Sequence, residues 1–158
     1  MELSFLSLLE KLIIKKSFSK FSSLQLVSLP RLTELNISND CFNGNTKELL
    51  DIHALPQLNM ISIDNSCFML YRGLRIINNP NLISFQCSKY CFNMGSGVLT
   101  IKNNTLLNQI VVTSHSMSCY SVDWNGMIAL FMLNRSSLIK VYFYWWNRWL
   151  CILECKII

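Results

Sequence analysis

The chain repeats a short phrase, Leu-x-x-Leu-x-Ile, with Phe five residues further on. It stands as Leu32, Leu35, Ile37 and Phe42, again as Leu58, Ile61, Ile63 and Phe68, and as Leu82, Phe85, Cys87 and Phe92. Self-similarity at a period in the twenties is the mark of a stack of similar coils. One such coil cannot bury its own apolar residues. Coils laid on one another as parallel strands, roughly 4.8 Å apart, pair their backbone groups and cover their inward side chains.

A second phrase, apolar-x-apolar, lies between successive phenylalanines: Leu24/Leu26, Leu50/Ile52, Leu74/Ile76 and Leu99/Ile101, with Val122/Trp124 as a fifth copy. Alternation of this kind belongs to a strand with one buried face. A turn follows at Leu29-Pro30, Leu55-Pro56 and Asn79-Pro80, and Asn104-Thr105 takes its place in the next copy. Each repeat thus reads strand, corner at Phe, strand, corner at Pro. Leu8, Lys11, Ile13 and Phe18 fit as a frayed first copy. The first leucines then fall at 8, 32, 58, 82 and 107, with spacings of 24, 26, 24 and 25. No stretch up to Asp123 has a convincing helical period. Lys47-Glu48-Leu49-Leu50 is the nearest, enough for a single turn. The expected fold is mainly β: a solenoid of about five stacked repeats of 24–26 residues over residues 1–124, then a degenerate hydrophobic aromatic tail at 125–158.

Composition narrows the function classes. A chain of 158 residues, 51% hydrophobic and 15% charged, holds one packed core and is not a disordered segment. The net charge of +5 comes from scattered Lys and Arg. No basic cluster marks a nucleic-acid interface. The start, Met1-Glu2-Leu3-Ser4-Phe5-Leu6, has no basic region before its apolar stretch and reads as no signal peptide. Seven cysteines, an odd number, then argue for reduced thiols. A cytoplasmic address is favoured. A membrane-associated or surface location fits if the chain is a fragment.

The phrase with an apolar residue at its eleventh place resembles the leucine-rich repeat family. The Phe there, and the second strand in each repeat, resemble the irregular, helix-poor type found in bacterial and protist surface proteins. The resemblance covers residues 8 to about 124. It implies protein or surface binding by a repeat scaffold and implies no catalysis. The family's asparagine or cysteine at the ninth place is missing here. Lys16, Asp40, Ser66, Tyr90 and His115 stand there, so no asparagine ladder is expected to form.

Residues with reactive side chains read mostly as structure. Cys41, Cys67 and Cys91 each precede a column Phe and would stack like rungs. A metal or redox ladder is one reading; small hydrophobes at a tight corner is the other, and Ser17 and Ser116 at the same place favour it. Cys87 with Cys91, and Cys151 with Cys155, lack the paired spacing of structural zinc, and Cys87 takes an inward place. His53 and His115 lie more than two repeats apart and support no catalytic triad. Gly95-Ser96-Gly97 lacks the lysine and helix of a phosphate loop. Asp51 and Arg75 occupy matching outward places in adjacent second strands. No cofactor is implied.

The tail holds Trp145, Trp146 and Trp149, and Trp124 stands just before it. It reads as a terminal cap of one or two degenerate coils, as a membrane-surface segment through residues 127–153, or as a non-native extension. Its apolar run is shorter than the roughly 20 residues a bilayer span needs. The expected function is a non-enzymatic repeat scaffold for protein–protein or surface interaction; the alternatives are a piece of a larger receptor-like or signalling protein and a membrane-attached module. Side chains between inward ones face out, which places Glu34, Met60, Ser84 and Gln109 in one outward column. Asn36, Ser62, Gln86 and Val111 form a second, and Ser38, Asp64, Ser88 and Thr113 a third. Partner contact is assigned to Asn36, Met60, Ser62, Ser84, Gln86, Gln109 and Val111 on this small, uncharged, hydrogen-bonding face.

Overall fold

The computed structural model describes residues 1–16, 18–21, 24–44, 48–92, 97–112, 116, 119–125, 130–133, 141–145 and 148–153. In chain order the strands are β1 (Glu2–Ser4), β2 (Lys11–Ile14), β3 (Gln25–Val27), β4 (Glu34–Ile37), β5 (Leu49–His53), β6 (Met60–Ile63) and β7 (Gly73–Ile77). They continue as β8 (Ser84–Cys87), β9 (Gly97–Lys102), β10 (Gln109–Val112), β11 (Cys119–Asn125), β12 (Leu130–Leu133), β13 (Val141–Trp145) and β14 (Arg148–Leu153). The odd strands β1-β3-β5-β7-β9-β11 form one parallel sheet and the even strands β12-β10-β8-β6-β4-β2 another. The chain is a β-solenoid of about four turns, mainly β as its two alternating phrases require. The described residues contain no helix.

The registers follow the phrases. Leu35, Ile61, Phe85 and Ile110 pair in one row, and Ile37, Ile63, Cys87 and Val112 in another. Leu50, Leu74 and Leu99 pair across the other sheet, with Ile52, Ile76 and Ile101 beside them. Val122 pairs with Leu99 and Trp124 with Ile101, which completes the fifth copy. Side chains in these rows up to Ile110 are almost wholly buried between the sheets.

Phenylalanine fills the first corner. Phe18, Phe42, Phe68 and Phe92 stack with ring centroids 5.9, 5.1 and 5.3 Å apart and nearly parallel planes. Each of these phenylalanines has φ between 50 and 60°, in the left-handed region. Lys16, Asp40, Ser66 and Tyr90, two residues earlier, share it at 36–62°, and Ser28, Ala54, Asn78 and Asn103 take it at 52–57° in the second corner. Such a residue costs roughly 1–2 kcal/mol. Burying a Phe returns about 1.5–3 kcal/mol, and a ring pair adds about 0.5–1.5 kcal/mol. The column therefore offsets much of the strain that bends the chain around it.

Three expectations change. The first coil is offset by one residue: Lys11 pairs with Glu34, Leu12 with Leu35, Ile13 with Asn36 and Ile14 with Ile37. Leu9, Leu12 and Ile14 therefore take the inward places assigned to Leu8, Lys11 and Ile13. A one-residue slip reverses every side chain in a strand, and the slip spares the chain a lysine in the core. Leu8 and Ile13 are 73% and 53% exposed. A shorter corner then restores Phe18 to its column. Leu49 and Leu50 of the one-turn helix candidate lie in β5, where pairing with Gly73 and Leu74 wins over local propensity. Asparagine ladders do form, away from the ninth place. Asn79 and Asn104 are fully buried. Asn79 Oδ1 accepts from Leu55 N at 3.0 Å, and Asn104 Oδ1 from Asn79 N at 3.0 Å. Their amide nitrogens donate to Ile52 O at 3.0 Å and Ile76 O at 2.8 Å. At the eighth place, Asn39 Oδ1 accepts from Asn65 N and Asn65 Oδ1 from Lys89 N, both at 3.1 Å.

Within 125–158, β12 pairs with β10 through Gln109↔Leu130 to Val112↔Leu133 and extends the even sheet. β13 and β14 form an antiparallel pair, and β13 lies beside β11.

Candidate functional site

The outward face of the even sheet is built by register. Glu34, Met60, Ser84 and Gln109 pair in one row and Asn36, Ser62, Gln86 and Val111 in the next, as their alternation with buried residues dictates. Ser38, Asp64 and Ser88 follow one residue beyond the strands; Thr113 and His115 lie outside the described residues. Gln86 and Gln109 are exposed, and Asn36, Met60, Ser62 and Val111 are half-buried. Ser84 differs from expectation. Its side chain lies on the outward face, but it is 9% exposed, because Ser84 Oγ donates to Gln109 Oε1 at 3.1 Å. Gln109 thus covers Ser84, and the Ser84 hydroxyl orients the Gln109 amide.

Charge on this face gathers at its N-terminal end. Lys11 Nζ sits 2.8 Å from Glu34 Oε2. Asn36 Nδ2 donates to Glu34 Oε1 at 3.0 Å. The hydrogen bond and charge of Lys11, then Asn36, hold the Glu34 carboxyl below the usual range, while Glu34 raises Lys11. Lys11 is exposed and Glu34 half-buried on the sheet surface, so the pair orders side chains more than it stabilises the fold.

The odd sheet carries a second feature. β3 and β5 meet through one register pair, Gln25↔Asp51, whereas β5 and β7 share a run from Leu49↔Gly73 to His53↔Ile77. Beside that short contact lies an open concavity of about 990 Å³, with Leu26 and Val27 on one side and Asp51, His53, Arg72 and Arg75 on the other. Arg75 Nη1 donates to Asp51 Oδ2 at 3.1 Å, the cross-strand pair expected from their matching places. Asp51 Oδ1 is buried without a hydrogen bond. His53 is exposed, as its outward place requires, with Nε2 3.1 Å from Asn78 Nδ2; Asn103 Nδ2 donates to Asn78 Oδ1 at 2.8 Å. Alternation located the Asp51–Arg75 pair. The concavity was invisible to it, because the splay of β3 from β5 is a tertiary feature.

The cysteine rungs do structural chemistry. Cys67 Sγ donates to Ser38 O at 3.0 Å and Cys91 Sγ to Asp64 O at 2.9 Å, and Ser116 Oγ donates to Ser88 O. Each of these three caps a carbonyl at the end of the previous coil's even strand, whereas the Cys41 thiol donates to Asn39 O of its own coil at 3.6 Å. Burial pushes the Cys67 thiol far above its usual range and keeps it protonated. Cys87 is buried in the core row; Cys151 lies in β14 and Cys155 outside the described residues. Among the described residues no group of three His, Cys, Asp or Glu is placed to hold a metal, and no helix is long and apolar enough to cross a membrane. No family model matches the chain, and comparison with curated proteins and with solved structures yields no match, so a functional reading rests on these two faces alone.

Proposed function

We propose that the protein is a non-enzymatic repeat scaffold that binds an extended protein partner along the outward face of β4, β6, β8 and β10. The observation that carries this reading is the in-register array of Asn36, Ser62, Gln86 and Val111 beside Met60 and Gln109. The array is small, flat and uncharged beyond Glu34. Met60 and Val111 offer apolar contact, and the glutamines and Ser62 offer hydrogen bonds in both senses. Rigid parallel strands hold these groups at a fixed spacing of roughly 4.8 Å. The leucine-rich-repeat-like phrase that buries the opposite side of each strand supports the same use. Cys41, Cys67 and Cys91 are buried as thiols, which suits a reducing, cytoplasmic setting.

The test is the double substitution Ser62→Arg with Gln86→Glu. Surface changes of this kind alter stability by no more than about 0.5 kcal/mol, so an unchanged melt certifies the fold. A partner is captured by photo-crosslinking from Gln109. The double variant should weaken that partner's binding by about tenfold or more. Undiminished binding by a folded variant removes this face from consideration. The concavity beside Asp51 and Arg75 is then the site, because an unbonded carboxylate oxygen there lacks a donor.

A further inference from the structure

We infer that the solenoid carries a hinge between the coils of β3 and β5, where the odd sheet parts while the even sheet stays closed. The two sides of the stack are held unequally at this join. On the even side, Lys11↔Glu34 to Ile14↔Ile37 pair in register. Thr33 N donates to Glu10 O at 2.7 Å and Ser38 N to Ile14 O at 2.8 Å. On the odd side only Gln25↔Asp51 pairs. At the other joins of the odd sheet from β1 to β9, a corner amide completes the ladder. Phe5 N donates to Val27 O at 3.2 Å, and Ala54 N to Ile77 O and Asn78 N to Lys102 O at 3.1 Å. The matching bond from Ser28 N to His53 O is absent from the backbone bonds among the described residues. The seam is internal to the sheet, because β3 pairs fully with β1 on its other side, from Glu2↔Gln25 to Ser4↔Val27.

The sequence explains why the odd sheet parts at this place. Asn104 Oδ1 holds Asn79 N, and Asn79 Oδ1 holds Leu55 N. The next rung needs an asparagine at position 55, and leucine stands there. Leu29 N, on a buried residue, therefore lacks the side-chain acceptor that its counterparts have. The ring column shows the same seam. Phe18 and Phe42 lie 5.9 Å apart and tilted by 15°, against 5.1 and 5.3 Å and 4 and 6° for the next two pairs. Val27, Ser28, His53 and Ala54 line the concavity along this join. Asp51 Oδ1 is buried beside it without a hydrogen bond.

Rotation about the closed β2–β4 side widens the concavity and uncovers Leu26 and Ile52, which are buried in the closed stack. It leaves the outward face of β4, β6, β8 and β10 in register. Opening of this kind is a sub-global motion with its own free energy, distinct from unfolding of the stack.

Residue-resolved amide exchange on the full chain tests this. Alternate amides along a parallel strand point to opposite neighbours. Ala54 N points to β7, so Ile52 N does too, and Asp51 N points to β3. The Asp51 amide should show a protection factor about tenfold or more below that of Ile52 in the same strand. It should also fall about tenfold or more below that of Ser38, which bonds Ile14 O across the even side of the same join. Leu55→Asn supplies the missing acceptor for Leu29 N and should raise Asp51 protection by about tenfold, with Ser38 unchanged. Equal protection at Asp51 and Ile52 would overturn the hinge. Equal protection at Asp51 and Ser38 would overturn it too, because the whole coil would then be separating. A folded Leu55→Asn with Asp51 unaltered would have the same consequence. The wild-type comparison needs no variant, so a misfolded Leu55→Asn leaves the outcome decidable.

Discussion

Ala54 is a plain residue in an unusual place. Its φ of 54° lies in the left-handed region, it is exposed, and it begins the second corner of its coil. Ala54→Gly should remove strain of roughly 1–2 kcal/mol and return roughly 0.5–1 kcal/mol of it as unfolded-chain entropy. A net gain of up to about 1 kcal/mol in urea denaturation is expected, and Ala54→Val should destabilise. Cys67 carries a pH signature. Its folded thiol titrates above its unfolded value because burial disfavours the thiolate. The stability this gives is fully present below an unfolded pKa near about 8.5 and is lost as pH rises beyond it. Tyr71, buried with its titration also pushed up by desolvation, adds to the same alkaline decline. Unfolding free energy should therefore fall steadily above about pH 9. Cys67→Ser should flatten part of that slope while keeping the hydrogen bond to Ser38 O, as Ser116 makes the equivalent bond to Ser88 O two coils along. An unchanged slope would show that the Cys67 thiol is not the titrating group. Little of this is legible in sequence. Lysine, serine and tyrosine at the ninth place give no sign of positive φ, because glycine and asparagine, the usual carriers, are absent there.

At the scale of strands and corners, alternation was enough to set registers. The inward strand residues from β4 to β10 have their partners where the period put them. It failed in β2, where two consecutive isoleucines, Ile13 and Ile14, let the pattern be laid down in either of two phases. Only pairing against β4 decides between them. The ladder at Asn79 and Asn104 was concealed for a related reason: sequence shows a turn at Asn-Pro and Asn-Thr, but not which way the amides point. Asn79→Ala would orphan Leu55 N and remove the donor to Ile52 O, both buried. Each unsatisfied group costs about 1–3 kcal/mol, so a loss of several kcal/mol is expected by chemical denaturation. A loss below about 1 kcal/mol would mean that the ladder is not intact in solution. Gly73 is needed for a different reason. A Cβ there would overlap the Val98 carbonyl oxygen, so Gly73→Ala should push β7 from β9.

Over the whole molecule, stability in a stack passes from neighbour to neighbour, and the proposed binding face depends on that continuity. The candidate residues were legible because they alternate with the core. Their environment was not, as the cover Gln109 gives Ser84 shows, and neither was the concavity at β3 and β5. The tail's role depends on the same continuity. Truncation after Asn125 removes β12, bares β10, and should give protein that aggregates; an equally soluble and stable truncate would deny β12 that role. The central claim, one core propagated through the phenylalanine column, is tested most directly at Phe68, which stacks on Phe42 and Phe92 and meets Tyr71 edge-on at 4.9 Å. Thermal and urea unfolding of Phe68→Ala should show a loss of roughly 3–5 kcal/mol, with the single transition splitting as the two halves uncouple. A melting temperature equal to that of the wild type would contradict the account.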